Sequence, residues 1–191
     1  MGRYAFGMPE HVFHAQVLLA AGTRELMPAA DLAAADPAAY AAALAKYDDT
    51  PERRRLRETR IPVVDRLWTE VVFLSPVHPH AIWRAWRDIT GRERLSMPFW
   101  AIPISALPDG CVLLDRSITR TGDPIDPEEV RPLEPGSFRT AMETTPRNRE
   151  WLASLAASGR SGAWFHGIPH VLAPGRVPLG DAGVIDWADE G

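Results

Sequence analysis

The sequence contains one cysteine, Cys111, and one lysine, Lys46. A lone cysteine can form neither an internal disulfide nor a cysteine zinc cluster, and it fits a reducing cytoplasm. Cys111 lies in the apolar run CVLL, where a thiol packs as a small hydrophobe rather than serving as a nucleophile. No apolar run approaches the ~20 residues that span a bilayer, so no membrane partner is expected. The opening stretch MGRYAFGMPEHVFHA has no signal-peptide core. G-x-G-x-x-G, a Walker loop, G-x-S-x-G and H-E-x-x-H are all missing. Rossmann dinucleotide binding, P-loop hydrolysis, α/β-hydrolase chemistry and zincin chemistry are therefore unsupported. The net charge of −4 removes a globally basic surface, so contact with nucleic acid needs a local patch.

What remains is ordinary globular composition, 46% hydrophobic and 24% charged over 191 residues. It suits one domain spanning residues 1–191. Eighteen prolines punctuate many short elements. Residues 11–16 read as a strand, followed by a helical turn near 17–21. Asp31 reads as the cap of a short helix. Asp36-Pro37 reads as an N-cap followed by proline at the first helical position, and opens an alanine-rich helix over 38–47. Asp49-Thr50-Pro51 repeats that signal before an arginine-rich helix over 52–59. Residues 71–74, 99–104 and 112–115 read as strands, with a turn at Pro108-Asp109-Gly110. A helix opens at Pro79, its apolar face carried by Ile82, Trp83 and Trp86. Residues 117–144 read as a polar excursion. A helix from Thr145-Pro146 to about residue 157 precedes strands at 163–173 and 184–187. Strands clustered in the second half, beside flanking helices, give the α+β class.

Three constellations carry possible chemistry. His14 and Gln16 share one face of the first strand. His78 and His80 form an H-x-H pair in a loop near a helix start, and His166 and His170 share a face of the predicted strand 163–173. A zinc site needs three or four such ligands; these pairs lack a motif that joins them, and no metal is assigned. Arg53, Arg54, Arg55, Arg57 and Arg60 suit a pyrophosphate or a nucleic-acid backbone through bidentate bonds. The same cluster also reads as a solvated face paired with Glu52 and Glu58. Of the seven tryptophans, most read as core, and any of them is a candidate to stack on a base or nicotinamide.

The stretch ERRRLRETRIP…LWTEVVFLSPVHPHAIW, residues 52–83, resembles the central segment of DarT-type ADP-ribosyltransferases. Those enzymes begin with an aromatic-His-x-Thr strand, and Val12-Phe13-His14-Ala15-Gln16 stands at that place. They end with A-E-F-L-V, a proline-containing loop and an isoleucine strand. The matching stretches here are Pro169-His170-Val171-Leu172-Ala173, Pro174-Gly175-Arg176-Val177-Pro178 and Gly183-Val184-Ile185.

The resemblance implies an ADP-ribosyltransferase-like fold, a central split antiparallel sheet with flanking helices. It implies NAD as substrate, single-stranded DNA or RNA as acceptor, and an antitoxin-like partner. His14 and Gln16 would contact the nicotinamide ribose and amide, with Phe73 and Arg54 as further cofactor contacts. Arg54 or Arg55 would take the catalytic arginine position. His170 falls where the family has its catalytic glutamate, and an imidazole cannot supply that negative charge. It keeps the capacity of a general base. Val77 replaces the arginine of the family's Pro-Arg-Ser-Pro turn. Both departures leave a second function open, a degenerate module that binds NAD, ADP-ribose or nucleic acid without turnover. His14, Arg54 or Arg55, and His170 should converge on one cleft.

Overall fold

The computed structural model describes residues 10–17, 19, 22–160 and 162–190. The expected turn at 17–21 falls partly outside them. In chain order the elements are β1 (His11–Ala15), β2 (Glu25–Leu26), α1 (Ala29–Ala35), α2 (Pro37–Ala45), α3 (Pro51–Leu56), β3 (Arg60–Ile61), β4 (Arg66–Leu67) and β5 (Val72–Leu74). Then come α4 (Pro79–Thr90), β6 (Pro98–Pro103), β7 (Val112–Leu114), β8 (Val130–Pro132), α5 (Pro146–Ser158), β9 (His170–Ala173), β10 (Val177–Pro178) and β11 (Gly183–Asp186). This is the mixed, antiparallel α+β class expected from the pattern.

Two sheets organise the molecule, ordered β1-β6-β11 and β5-β9-β7-β8, with every strand pair antiparallel. Among the described residues one backbone bridge stitches them together. Phe13 and Ser75 exchange backbone hydrogen bonds of 2.9 and 2.8 Å. Beyond that bridge β1 and β5 part, because the next rung is lost: the His11 N–H goes to the Thr140 hydroxyl and the Val77 N–H to the Ser75 hydroxyl, each at 3.1 Å. Ser75 instead turns the chain, its hydroxyl donating to the Val77 carbonyl at 2.7 Å.

The pleat sets the core. Val12 and Ile102 from one sheet pack with Val72, Leu74, Val171 and Ala173 from the other. The alternate residues Phe13, Phe99 and Ala101 face Trp83 of α4 and Trp187. On the second sheet Val112, Leu114 and Leu172 face Ile61, Val71, Ile125 and the half-buried Trp68. α4 buries seven residues and packs on α5 through Ile82, Trp86, Leu152 and Leu155.

The expected caps are present. Asp36 accepts from Ala39 N–H at 2.9 Å, Thr50 from Arg53 N–H at 3.2 Å and Thr145 from Asn148 N–H at 3.1 Å, each with proline following at the first helical position. Other expectations need correction. α3 stops at Leu56. Asp31 lies inside the first turn of α1, where its carboxylate takes the Arg176 Nε–H at 3.1 Å, and does not cap the helix. Residues 117–144 are no mere excursion: Ile125, Val130 and Phe138 join the core, and buried Glu129 accepts from the Ile118 and Thr119 N–H groups at 2.7 and 2.8 Å.

The strand expected over 163–173 is only β9. Positive φ at Ala163 and Gly167 breaks the extended chain. Residues 164–167 form a turn clamped to α5. Fully buried Asn148 donates to the carbonyls of Trp164 and His166 at 2.8 and 2.7 Å. The clamp is tight enough that a Cβ on Gly167 would sit 2.9 Å from the backbone of Arg147 and Asn148.

Candidate functional site

The seam where β1 and β5 part is the place to look for the predicted site. His170 opens β9 on its far side. Phe73 pairs with Leu172 in the ladder, so His170, two residues earlier, projects from the same face as Phe73. Their rings stand 6.0 Å apart, edge to face. Trp68 lies 4.5 Å from Phe73, and its indole N–H donates to the Tyr47 hydroxyl at 3.0 Å. Burial pulls the His170 pKa down to about 4. The neighbouring His166 pushes the same way, and a backbone hydrogen bond with Ile168 and the Asp115 carboxylate oppose it. The imidazole is therefore neutral at physiological pH.

His14 does not join it. Phe13 is paired with Ser75, which shares the face of Phe73 and His170, and His14 alternates with Phe13 to the other face. Val12, on the His14 side, packs with Leu74 and Val171. The expected convergence of His14 and His170 on one cleft is thus not what the register produces. A one-residue offset in a period-two strand reverses the side of every side chain. His14 Nδ1–H donates to the Ala15 carbonyl at 2.6 Å, and its ring lies 6.2 Å from Trp100. Burial lowers its pKa too. Gln16 is exposed on the same side, and its backbone N–H donates to Pro98 at 2.9 Å.

The arginines are engaged locally. Exposed Arg54 donates to the Asp48 carbonyl at 2.6 Å. Arg55 reaches the Gly122 carbonyl at 3.2 Å and Glu52 at 3.4 Å. Arg53 pairs with Asp49 at 2.6 Å, Arg57 with Asp48, and Arg60 with Asp65 at 2.8 Å. These bonds fasten α3 to its own cap and to the 116–123 loop. No hydrogen bond or ion pair among the described residues links Arg54 or Arg55 to His14 or His170.

Sequence reasoning did not find Arg147 and Asp115, which ion-pair beside the end of β7. Arg147 also donates to the Arg116 carbonyl at 2.5 Å. Burial first, then the cations of Arg147 and Arg53, lowers the pKa of His166, whose ring lies 4.5 Å from Trp151. His166 sits in the clamped turn, not on a strand face with His170. No local motif marks this group, because its members come from β7, α5 and a turn separated along the chain.

The H-x-H pair also differs from expectation. His78 and His80 are buried, 8% and 6% exposed, at the start of α4 rather than in an open loop. His78 Nδ1 accepts the His80 N–H at 3.3 Å as a helix cap, and His80 Nδ1–H donates to the Trp187 carbonyl at 3.1 Å. Among the described residues no three His, Cys, Asp or Glu side chains gather as a ligand set. Cys111 is buried, and desolvation pushes its thiol up to about 11, so it stays protonated. No helix among the described residues is long and apolar enough to cross a membrane.

Comparison with protein-family models, with curated proteins and with solved structures returns no match for this chain.

Proposed function

We propose that the chain is an ADP-ribosyltransferase-like module that binds NAD or ADP-ribose and does not split the glycosidic bond. The observation that carries this reading is the neutral, desolvated His170 beside Phe73 at the edge of a two-sheet seam. The family resemblance puts a carboxylate at this position. An oxocarbenium-like centre needs negative charge close by, and a neutral imidazole gives none. The one carboxylate that bears on His170, Asp115, is already held by Arg147.

Binding is a lesser demand. The half-buried Phe73 and Trp68 rings offer apolar surface to a nicotinamide or adenine. Neutral His170 gives its N–H to the Ile168 carbonyl and offers its lone pair to a ribose hydroxyl. The antiparallel sheets and flanking helices are compatible with the α+β class of the fold that the resemblance implies. The local pairing of Arg53, Arg54, Arg55, Arg57 and Arg60 argues against a free basic patch for DNA or RNA.

A second reading, an active transferase with His170 as general base, rests on the same free lone pair. A conjugate acid near pKa 4 makes that base weak at neutral pH.

Proton NMR of the purified protein with NAD separates the two. Saturation transfer to NAD and ADP-ribose, with no free nicotinamide, is the expected result, and Phe73→Ala should reduce it. Nicotinamide release abolished by His170→Ala establishes the active reading instead. Absence of saturation transfer to both ligands removes the nucleotide assignment.

A further inference from the structure

A second recess lies away from the seam, bordered by Glu93, Arg94, Leu95, Met97, Trp164 and Trp187, with a volume of about 530 Å³. That is the size of a small-molecule site. It shares no residue with the nucleotide assignment above.

Arg94 is its unusual member. The guanidinium carbon stands 4.5 Å from the ring centroids of both Trp86 and Trp164, so two indoles wedge the head group in place. Its Nε is buried with no acceptor. Among the described residues no carboxylate lies within ion-pair distance of Arg94, whereas Arg84 and Arg149 pair with Glu143 and Asp88. The acids nearby do not serve it. Asp186 takes the Ser96 hydroxyl and the Ala188 N–H, and Glu93, exposed at the border, makes no pair with it.

The walls are equally well fixed. Trp187, 1% exposed, forms the floor; its indole N–H donates to the Leu95 carbonyl at 2.9 Å and its backbone N–H to Met97 at 3.1 Å. The Leu95 side chain stands at the rim, 89% exposed. An immobilised, unpaired guanidinium loses little freedom when it takes an anion, and its planar fork matches a carboxylate or phosphate. The adjoining apolar surface of Trp164, Met97 and Leu95 suits a hydrophobic body attached to that anion.

We propose that this recess binds a small organic anion, its carboxylate or phosphate on Arg94 and its apolar body against Trp164, Met97 and Leu95. The test follows the indole N–H signals of Trp164 and Trp187, with affinity from tryptophan fluorescence. The probes are naphthoate, naphthyl phosphate, the neutral naphthylmethanol and inorganic phosphate. At least one naphthyl anion should shift both indoles, and the two anions decide between carboxylate and phosphate. The neutral probe should bind about tenfold or more weakly, the worth of a charge-assisted hydrogen bond.

Arg94→Gln should lose the same factor, with Arg94→Lys recovering part of it. Leu95→Asp, on a side chain that contributes nothing to the core, should weaken the anions without disturbing the fold. Equal binding of naphthylmethanol, or no indole shift with either anion, overturns the proposal. Inorganic phosphate binding as tightly as naphthyl phosphate overturns its apolar half. Phe73→Ala should leave naphthyl-anion binding intact, so failure of one site is distinguishable from failure of the other.

Discussion

α4 and the α2–α3 pair are neighbours in the chain yet are held by different forces. α2 buries none of its residues and α3 buries only Leu56, whereas α4 buries seven. α2 exists because alanine loses little entropy in a helix and because Asp36 and Pro37 define its start. α3 adds ion pairs to Asp48, Asp49 and Glu52. α4 instead wedges Trp83 between Phe13, Phe99 and Trp187, and Ile82 and Trp86 against α5. The difference teaches where function is anchored. The arginine helix is the densest charge in the sequence but is engaged in its own closure, while the packed helices and sheets set the geometry of both candidate sites.

The strongest challenge to that contrast is Trp83→Ala, which removes a 6% exposed side chain at the junction of α4 and the first sheet. A loss of about 3–5 kcal/mol in chemical denaturation is expected. A loss comparable to that of an α2 substitution would erase the distinction.

Titration gives the next effect. The folded His170 pKa of about 4 lies below the ~6.5 of an unfolded histidine, so between these values the unfolded chain holds more protons. Stability therefore falls as pH drops from ~6.5 to ~4, by at most about 3 kcal/mol from this residue, and is insensitive to it above. His170→Gln should flatten the curve in urea melts at stepped pH. His14, His78 and His166, also lowered by burial, leave a residual slope of the same sign.

Ala42→Gly in exposed α2 should cost about 1 kcal/mol, visible chiefly as faster hydrogen exchange within that helix. Smallest is the joint Arg54→Ala and Arg55→Ala variant. Its exposed contacts are worth under about 1 kcal/mol, and NAD affinity by saturation transfer should be unchanged. A clear loss of affinity would return the arginines to the nucleotide site.

Local chemistry was legible wherever it is decided within a few residues. The sequence by itself determined the α+β class and the cap-and-proline starts of α2, α3 and α5. It also determined the apolar face of α4 and the strands around 72–74, 98–103 and 112–114, because capping and side-chain period are short-range effects. It also singled out His170 and Phe73, whose rings stand 6.0 Å apart, edge to face. It overextended the last helix-to-strand connection, since the hold of Asn148 on the 163–168 turn depends on residues more than a dozen positions apart.

Only the tertiary structure decided that the Phe13–Ser75 bridge joins the sheets, and so that His14 and His170 leave opposite faces. It alone decided that His78 and His80 are buried, and that Arg94 stands between two indoles with no ion pair among the described residues. Register, burial and pairing are properties of chain segments brought together from afar, and composition and spacing along one strand carry no record of which partner will lie opposite.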